Sequence, residues 1–182
     1  MKKVSAGFLM YRIKERNLEI FLVHHGGPYW KGKDIGAWSI PKGIIGKKES
    51  LLEGAKREFI EETGIIPRGE FASLGEVKEK SGKIIHAWAF ENDWNGQFVE
   101  NIISIEYPKN SGVKIKIPEI DKVSFFRLNE AKIKIDRNQK KFIKRLQKIL
   151  RRQKISKTRK EMIIKLKKKL SLIKNWNVNA SG

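Results

Sequence analysis

Between Gly43 and Ile65 the sequence GIIGKKESLLEGAKREFIEETGI gathers residues able to hold a metal ion and a phosphate. Glu58, Glu61 and Glu62 stand at i, i+3 and i+4, so on a helix their carboxylates share one face, with Cβ atoms about 5–6 Å apart. Carboxylates crowded in this way repel one another unless a cation sits among them. Hard divalent ions favour oxygen ligands, which makes Mg²⁺ the natural occupant. Arg57, beside Glu58 and four residues before Glu61, supplies a fixed positive charge and a planar fork that can orient a carboxylate. Gly43 and Gly46 permit a tight loop just ahead, where a backbone carbonyl can add a metal ligand and free N–H groups can meet a phosphate.

These side chains need a helix to present them, and the punctuation for one is present. Ser50 is suited to cap the N-terminus, Glu53 lies three residues on as its capping-box partner, and Gly64 followed by Pro67 forms a stop. The spacing predicts a helix over Leu51 to Thr63, with Leu51, Leu52, Ala55 and Phe59 on a stripe opposite the acids and suited to burial. Composition alone would make this a solvated Glu- and Lys-rich helix; the glycine loop ahead of it distinguishes it.

The rest of the chain reads as support. Val4 to Ile13 and Leu18 to His25 are β-rich runs joined by a charged turn around Glu15, Arg16 and Asn17, with Ala6-Gly7 small enough for close backbone approach. A turn-rich loop from His25 to Gly36 leads to a short strand, Trp38 to Ile40, that delivers Pro41-Lys42-Gly43. After the helix, Phe71 to Lys80 and Lys83 to Glu91 read as a hairpin about Ser81-Gly82. Gln97 to Tyr107, Val113 to Ile117 and Val123 to Leu128 are further β runs, and Asn129 opens a helical tail. The expected fold is an α/β (α+β) sandwich, a mixed β-sheet between helices.

Seven positions at fixed spacing, Gly43, Glu49, Arg57, Glu58, Glu61, Glu62 and Gly64, match the Nudix box, which the segment closely resembles. Phe59 stands where an aliphatic residue is more usual. Ser5-Ala-Gly-Phe, Val23 to Trp30, Gly36 to Gly43, Gly82 to Trp88 and Pro118 to Asp121 are also similar to a bacterial group of Nudix proteins predicted to be nucleotide pyrophosphohydrolases. That group lies near the diadenosine polyphosphate hydrolases, whose box is likewise entered through Pro-Lys-Gly. Ile44 stands where the group often has Glu. The likeness covers about residues 4 to 150.

The resemblance implies the Nudix fold and attack of water on a phosphorus of a nucleoside diphosphate linked to another group. It implies that Glu58, Glu61, Glu62 and the Gly43 carbonyl hold Mg²⁺, with Mn²⁺ an acceptable substitute. Glu61 or Glu58 would take the water proton, with Glu106 and Glu119 as outside candidates. Arg57 would orient a carboxylate and Glu49 would act behind the ligands. Lys42 and Lys83 can point charge at a polyphosphate, and Trp38, Trp88, Tyr29 and Trp30 can stack on a base, although aromatics in strands are more often core. His24, His25 and His86 lack the mutual spacing of a zinc site.

The formal charge of +20 is uneven. From Lys132 to Lys174 there are 19 Lys and Arg against two acids, Asp136 and Glu161, leaving the remainder at +3. The expected division is a catalytic domain over residues 1–150 and a basic helical extension over 151–182. Phe142, Ile143, Leu146, Ile149 and Leu150 recur at helical spacing, as do Met162, Ile163, Leu166, Leu170 and Ile173, with Ser156-Lys-Thr158 between them. Such a tail can meet RNA, an anionic membrane or another subunit. This gives an alternative function: an RNA-associated protein whose box acts on RNA 5′ ends or is inactive. The absence of cysteine excludes disulfides and thiolate metal sites. No apolar run approaches the roughly 20 residues of a membrane span, and Met1-Lys2-Lys3 leads into a strand and not a cleavable signal, so a soluble cytoplasmic protein is expected.

Overall fold

The computed structural model describes residues 3–79, 81–94, 96, 98 and 100–179. The two N-terminal β runs form β1 (Val4–Lys14) and β2 (Asn17–His25), an antiparallel pair from Tyr11↔Ile20 to Lys14↔Asn17. Their turn places Glu15 and Arg16 at φ of 49° and 66°, the left-handed pair that matches the twist of a two-residue hairpin. Then come β3 (Trp38–Ser39), β4 (Lys42–Ile44), α1 (Leu51–Thr63), β5 (Ala72–Lys78) and β6 (Ile84–Glu91), followed by β7 (Ile102–Glu106), β8 (Lys114–Pro118), β9 (Ile120–Arg127), α2 (Leu128–Lys134) and α3 (Lys140–Asn179).

The main sheet runs β3-β2-β1-β6-β5, with β4 also paired to β1 and β9 to β2. β1 and β6 are parallel and the other pairs antiparallel, so the sheet is mixed as expected. Strand alternation divides the core. Ala6, Phe8, Met10, Phe21, Val23 and Phe90 form one cluster with Ala55 and Phe59 of α1. Leu9, Ile20, Leu22, Ile85 and Ala87 fall on the other face and are also buried, as are Phe126, Ala131, Ile135 and Phe142. The helix stripe is therefore correct in direction, although Leu51 and Leu52 are half-buried.

Phe59, the unusual residue of the box, has a reason in this packing. Its ring meets those of Phe8 at 5.8 Å, Phe90 at 5.4 Å and Phe21 at 6.4 Å, so it fills an aromatic layer that an aliphatic residue would leave open. Phe59→Ala is expected to destabilise the fold by about 3–5 kcal/mol, measured by urea unfolding.

Three boundaries depart from the sequence reading. The Gln97 to Tyr107 run is a strand only from Ile102 to Glu106, pairing with β8 in a separate two-stranded hairpin, and Pro108 limits its end; Gln97 and Val99 lie outside the described residues, as does Lys80 at the end of the Phe71 run. The tail does not start as one helix at Asn129. α2 ends at Lys134, and the Asp136 carboxylate accepts the N–H groups of Asn138 and Gln139, making a separate turn before α3. Nor do Ser156 and Thr158 interrupt α3, because two exposed hydroxyl residues among Lys, Arg and Ile cost too little to break a helix. The chain divides into two compact units, Met1–Lys144 and Arg145–Gly182, with the boundary inside α3.

Candidate active site

β1 and β2 pair only near their hairpin turn, and farther along they part to admit residues 38–44. β3 takes up β2 through Val23↔Ser39 and His24↔Trp38, while β4 takes up β1 through Ser5↔Ile44, Ala6↔Gly43 and Gly7↔Lys42. The insertion requires Gly7, since a Cβ there would stand 2.1 Å from the Pro41 carbonyl oxygen. This threading fixes Lys42 and Gly43 beside α1.

The helix caps form as read. Ser50 Oγ accepts the Glu53 N–H at 3.2 Å, the Glu53 carboxylate accepts the Ser50 N–H at 3.1 Å, and Gly64 closes the helix at φ 71°. Arg57 is the hub of the acidic face. Its Nε and one terminal nitrogen donate to the two Glu49 oxygens at 2.8 and 2.9 Å, and that same nitrogen reaches the Ile44 carbonyl at 3.1 Å. The other terminal nitrogen donates to Glu58 at 2.8 Å and Glu61 at 2.9 Å. The guanidinium and the Gly46 N–H hold the Glu49 carboxyl down at about 2. Glu49 thus fixes the position of Arg57.

The three helix acids are not equivalent. Glu61 is exposed, Glu58 is half-buried and Glu62 is only 3% exposed, with its carboxylate accepting the Lys42 N–H at 2.9 Å. Burial raises the Glu62 carboxyl to about 8, against the pull of Lys42, and the charges of Glu119 and Glu58 add to the rise. Burial likewise raises Glu58 despite Arg57, with Glu61 and Glu119 contributing. Glu119, at the β8–β9 junction, is thus near enough for its charge to act on both. Its carboxylate accepts from Asn101 Nδ2 at 2.9 Å, and its backbone bonds Asn101 and Gly26. Glu106 does not join it, since its carboxylate caps Gly112 in the β7–β8 hairpin.

As placed, no three acidic or histidine side chains converge on one point among the described residues. Arg57 draws Glu58 and Glu61 together while Glu62 turns to the Lys42 backbone. The donor set nevertheless suits a hard cation: it is made of carboxylates, and burial raises the pKa of two of them, Glu58 and Glu62. A Cβ at Gly43 would lie 1.7 Å from a Glu58 oxygen, so only glycine leaves room for that carboxylate against the backbone.

Beside Lys42 opens a cavity of about 350 Å³ lined by His25, Trp30, Ser39, Asp136, Asn138 and Gln139, among others, a volume within the range of small-molecule sites. The His25 ring, partly buried and near Lys42, has its pKa lowered to about 3 and is neutral at physiological pH. Trp30 leans on it at 5.2 Å between centroids. Lys83 has its pKa lowered by burial and then by the charge of Lys42. Trp38 lines the cavity but is mostly core, edge-on to Phe126 at 4.7 Å and to His24 at 5.2 Å, with its Nε1–H donated to Asp34. Trp88 is half-buried near Phe8, and Tyr29 pairs with Tyr107. His24 is held between Asp121 and the Lys33 carbonyl, and His86 lies by Glu76.

The sequence reading passed over the polar wall of this cavity. Its signal was the run Asp136-Arg-Asn-Gln139 interrupting two apolar helical patterns. Arg57→Lys keeps the charge and loses the fork. It is expected to lower turnover by about 10–100-fold through misplacement of Glu58 and Glu61, while the circular dichroism spectrum is retained.

The sequence matches the NUDIX domain family over residues 1–146. It is 36% identical to Nudix hydrolase 7 of Arabidopsis thaliana over 63 residues, 35% of this chain and 21% of that protein, so it spans about a fifth of that curated relative. The NUDIX domain of Shewanella oneidensis NrtR complexed with ADP ribose superposes with a TM-score of 0.59 at 13% identity, covering 82% of this chain and 89% of that one. A C. elegans Ap4A hydrolase binary complex gives 0.57 at 18% identity, with 81% and 97% covered. At these identities the structural likeness concerns the fold.

Proposed function

The chain belongs to the Nudix family, and from that premise we propose that it is a divalent-metal-dependent pyrophosphohydrolase acting on a nucleoside diphosphate linked to a second group. The observation that carries this is the Glu58 carboxylate lying against the Gly43 backbone, with Glu62 buried on the Lys42 N–H and Arg57 orienting Glu58 and Glu61. The likeness in fold to an NrtR NUDIX domain complexed with ADP ribose and to an Ap4A hydrolase supports a nucleotide as the substrate class.

Glu58, Glu61 and Glu62, with the Gly43 carbonyl, would hold Mg²⁺ or Mn²⁺. When bound, the ion supplies neutralisation of phosphate oxygens and a lowered pKa for an attacking water. Arg57 keeps Glu58 and Glu61 oriented, and its own position is fixed by the Glu49 fork. Glu58 or Glu61 takes the proton of the water; burial raises the basicity of Glu58, and the charges of Glu61 and Glu119 add to it. Lys42 and Lys83 face the polyphosphate, and the cavity beyond Lys42 receives the nucleoside, with Trp30 and Trp38 at its wall. In this reading residues 1–150 form the catalytic domain and 151–182 an accessory helix. No helix among the described residues is long and apolar enough to cross a membrane.

The test is release of phosphate and nucleotide from dinucleoside polyphosphates, nucleoside triphosphates, ADP-ribose, NADH and 5′-triphosphorylated RNA, with Mg²⁺ and with EDTA. Metal-dependent cleavage of one class is expected. Silence across the panel while Mg²⁺ still binds overturns the assignment.

A further inference from the structure

Outside the site, the strongest unexplained feature is the exposed part of α3. From Lys148 to Leu166 the chain carries eight Lys and Arg and one acid, Glu161. Every residue from 151 to 166 is exposed. At 1.5 Å per residue, residues 148–166 form a rod roughly 27 Å long.

Three occupants could cover it, and the arrangement of charges separates them. A helix lying on a membrane needs an unbroken apolar face, and a helix pairing with a second copy needs apolar residues at its seam. Ile155, Met162, Ile163 and Leu166 are the best start of such a face, at 68%, 57%, 43% and 54% exposure. However, Arg152 and Arg159 fall in the same row, since positions 152, 155, 159, 162 and 166 follow the alternating three- and four-residue steps of one helical seam. Either apolar partner would have to strip water from both guanidinium groups. Lys154 and Lys157 project from roughly the opposite side, and Lys160 from between. Cations on all sides suit a partner that presents phosphates around the helix.

We propose that α3 is a sequence-independent grip for the sugar-phosphate backbone of a nucleic acid. This is independent of the hydrolase reading, because the body of the chain is close to neutral and supplies little of the charge. Phosphate contacts from Lys and Arg release condensed counterions, so affinity falls linearly with the logarithm of salt concentration, with a slope of about −0.7 per phosphate contacted on a single strand.

The experiment measures fluorescence anisotropy of a labelled 20-nucleotide RNA, and separately a duplex DNA, with the full chain across a salt series. The same is done with a variant carrying Arg151→Gln, Arg152→Gln, Lys154→Gln, Lys157→Gln, Arg159→Gln and Lys160→Gln. Gln retains helix propensity, and circular dichroism checks the helix. Expected are a slope of about −3 to −4 for RNA with the parent chain, binding to both polymers, and at least a tenfold loss with a flatter slope in the variant. Undiminished binding by the variant overturns the proposal, as does a parent chain that prefers vesicles containing phosphatidylserine to either polymer. Charge-dependent dimerisation without nucleic-acid binding, measured by sedimentation, also overturns it.

Discussion

Glu62→Gln is expected to lower kcat by at least about a hundredfold while leaving the fold intact, and Glu61→Gln to act in the same direction. The amide is isosteric and its oxygen can still accept the Lys42 N–H, so the backbone bond that fixes β4 to α1 survives. What disappears is a charge that the proposed metal requires. Wild-type turnover in the Glu61→Gln, Glu62→Gln double variant would sink the metal assignment.

The same substitution has a second signature, in the absence of metal. Burial raises the Glu62 carboxyl from its ordinary 4.5 to about 8 in the folded protein. A folded-state pKa above the unfolded one means that the native protein holds a proton the unfolded chain releases. The associated stability is fully present below about pH 4.5 and is lost as pH rises through about 8. In EDTA, wild-type stability is expected to fall relative to Glu62→Gln across that window by on the order of a few kcal/mol, read as diverging urea midpoints. Added Mg²⁺ reverses the trend for the wild type alone, because it binds the ionised site. Parallel pH profiles for the two proteins would show that Glu62 ionises freely and is not the strained acid described above.

Gly43→Ala is the second change with a large expected effect. The added methyl would lie within 1.7–2.3 Å of all three terminal atoms of the Glu58 carboxyl group, so Glu58 must swing away from its bond to Arg57. Displacing one proposed ligand by an ångström or more is expected to lower kcat/KM about a hundredfold. Gly43 is paired with Ala6 in the sheet and is not in the left-handed region of the backbone, so the fold should persist with a modest loss of Tm. Apparent Mg²⁺ affinity, measured by the metal dependence of Tm, should weaken in parallel. A variant with full activity and unchanged metal dependence would remove both Gly43 and Glu58 from the site.

Much of α1 could be read directly from the residues. Ser50, Glu53 and Gly64 cap it through bonds to groups three or four residues away, and the spacing of Glu58, Glu61 and Glu62 follows from the helical repeat. The first hairpin and the β5–β6 pair were equally legible, because alternation and turn residues act over the same short range. Local rules served less well in the tail. The periodicity of α2 and α3 ran together across Asp136, whose capping bonds, together with its N–H donated to the Trp38 carbonyl, separate the two helices.

The sequence by itself determined a carboxylate-bearing helix behind a glycine loop, the seven matched positions of the box and the segregation of charge into the tail. Only the tertiary structure decided how the acids differ. It buries Glu62, leaves Glu61 exposed, brings Glu119 to them and excludes Glu106. It also assembles the cavity from His25, Ser39, Lys42 and Asn138, which meet only because β1 and β2 part around residues 38–44. Capping and periodicity are fixed by bonds within a turn or two of chain. Burial, and with it the pKa of each carboxylate, depends on which distant segments pack against it, and that follows from strand pairing across the whole sheet.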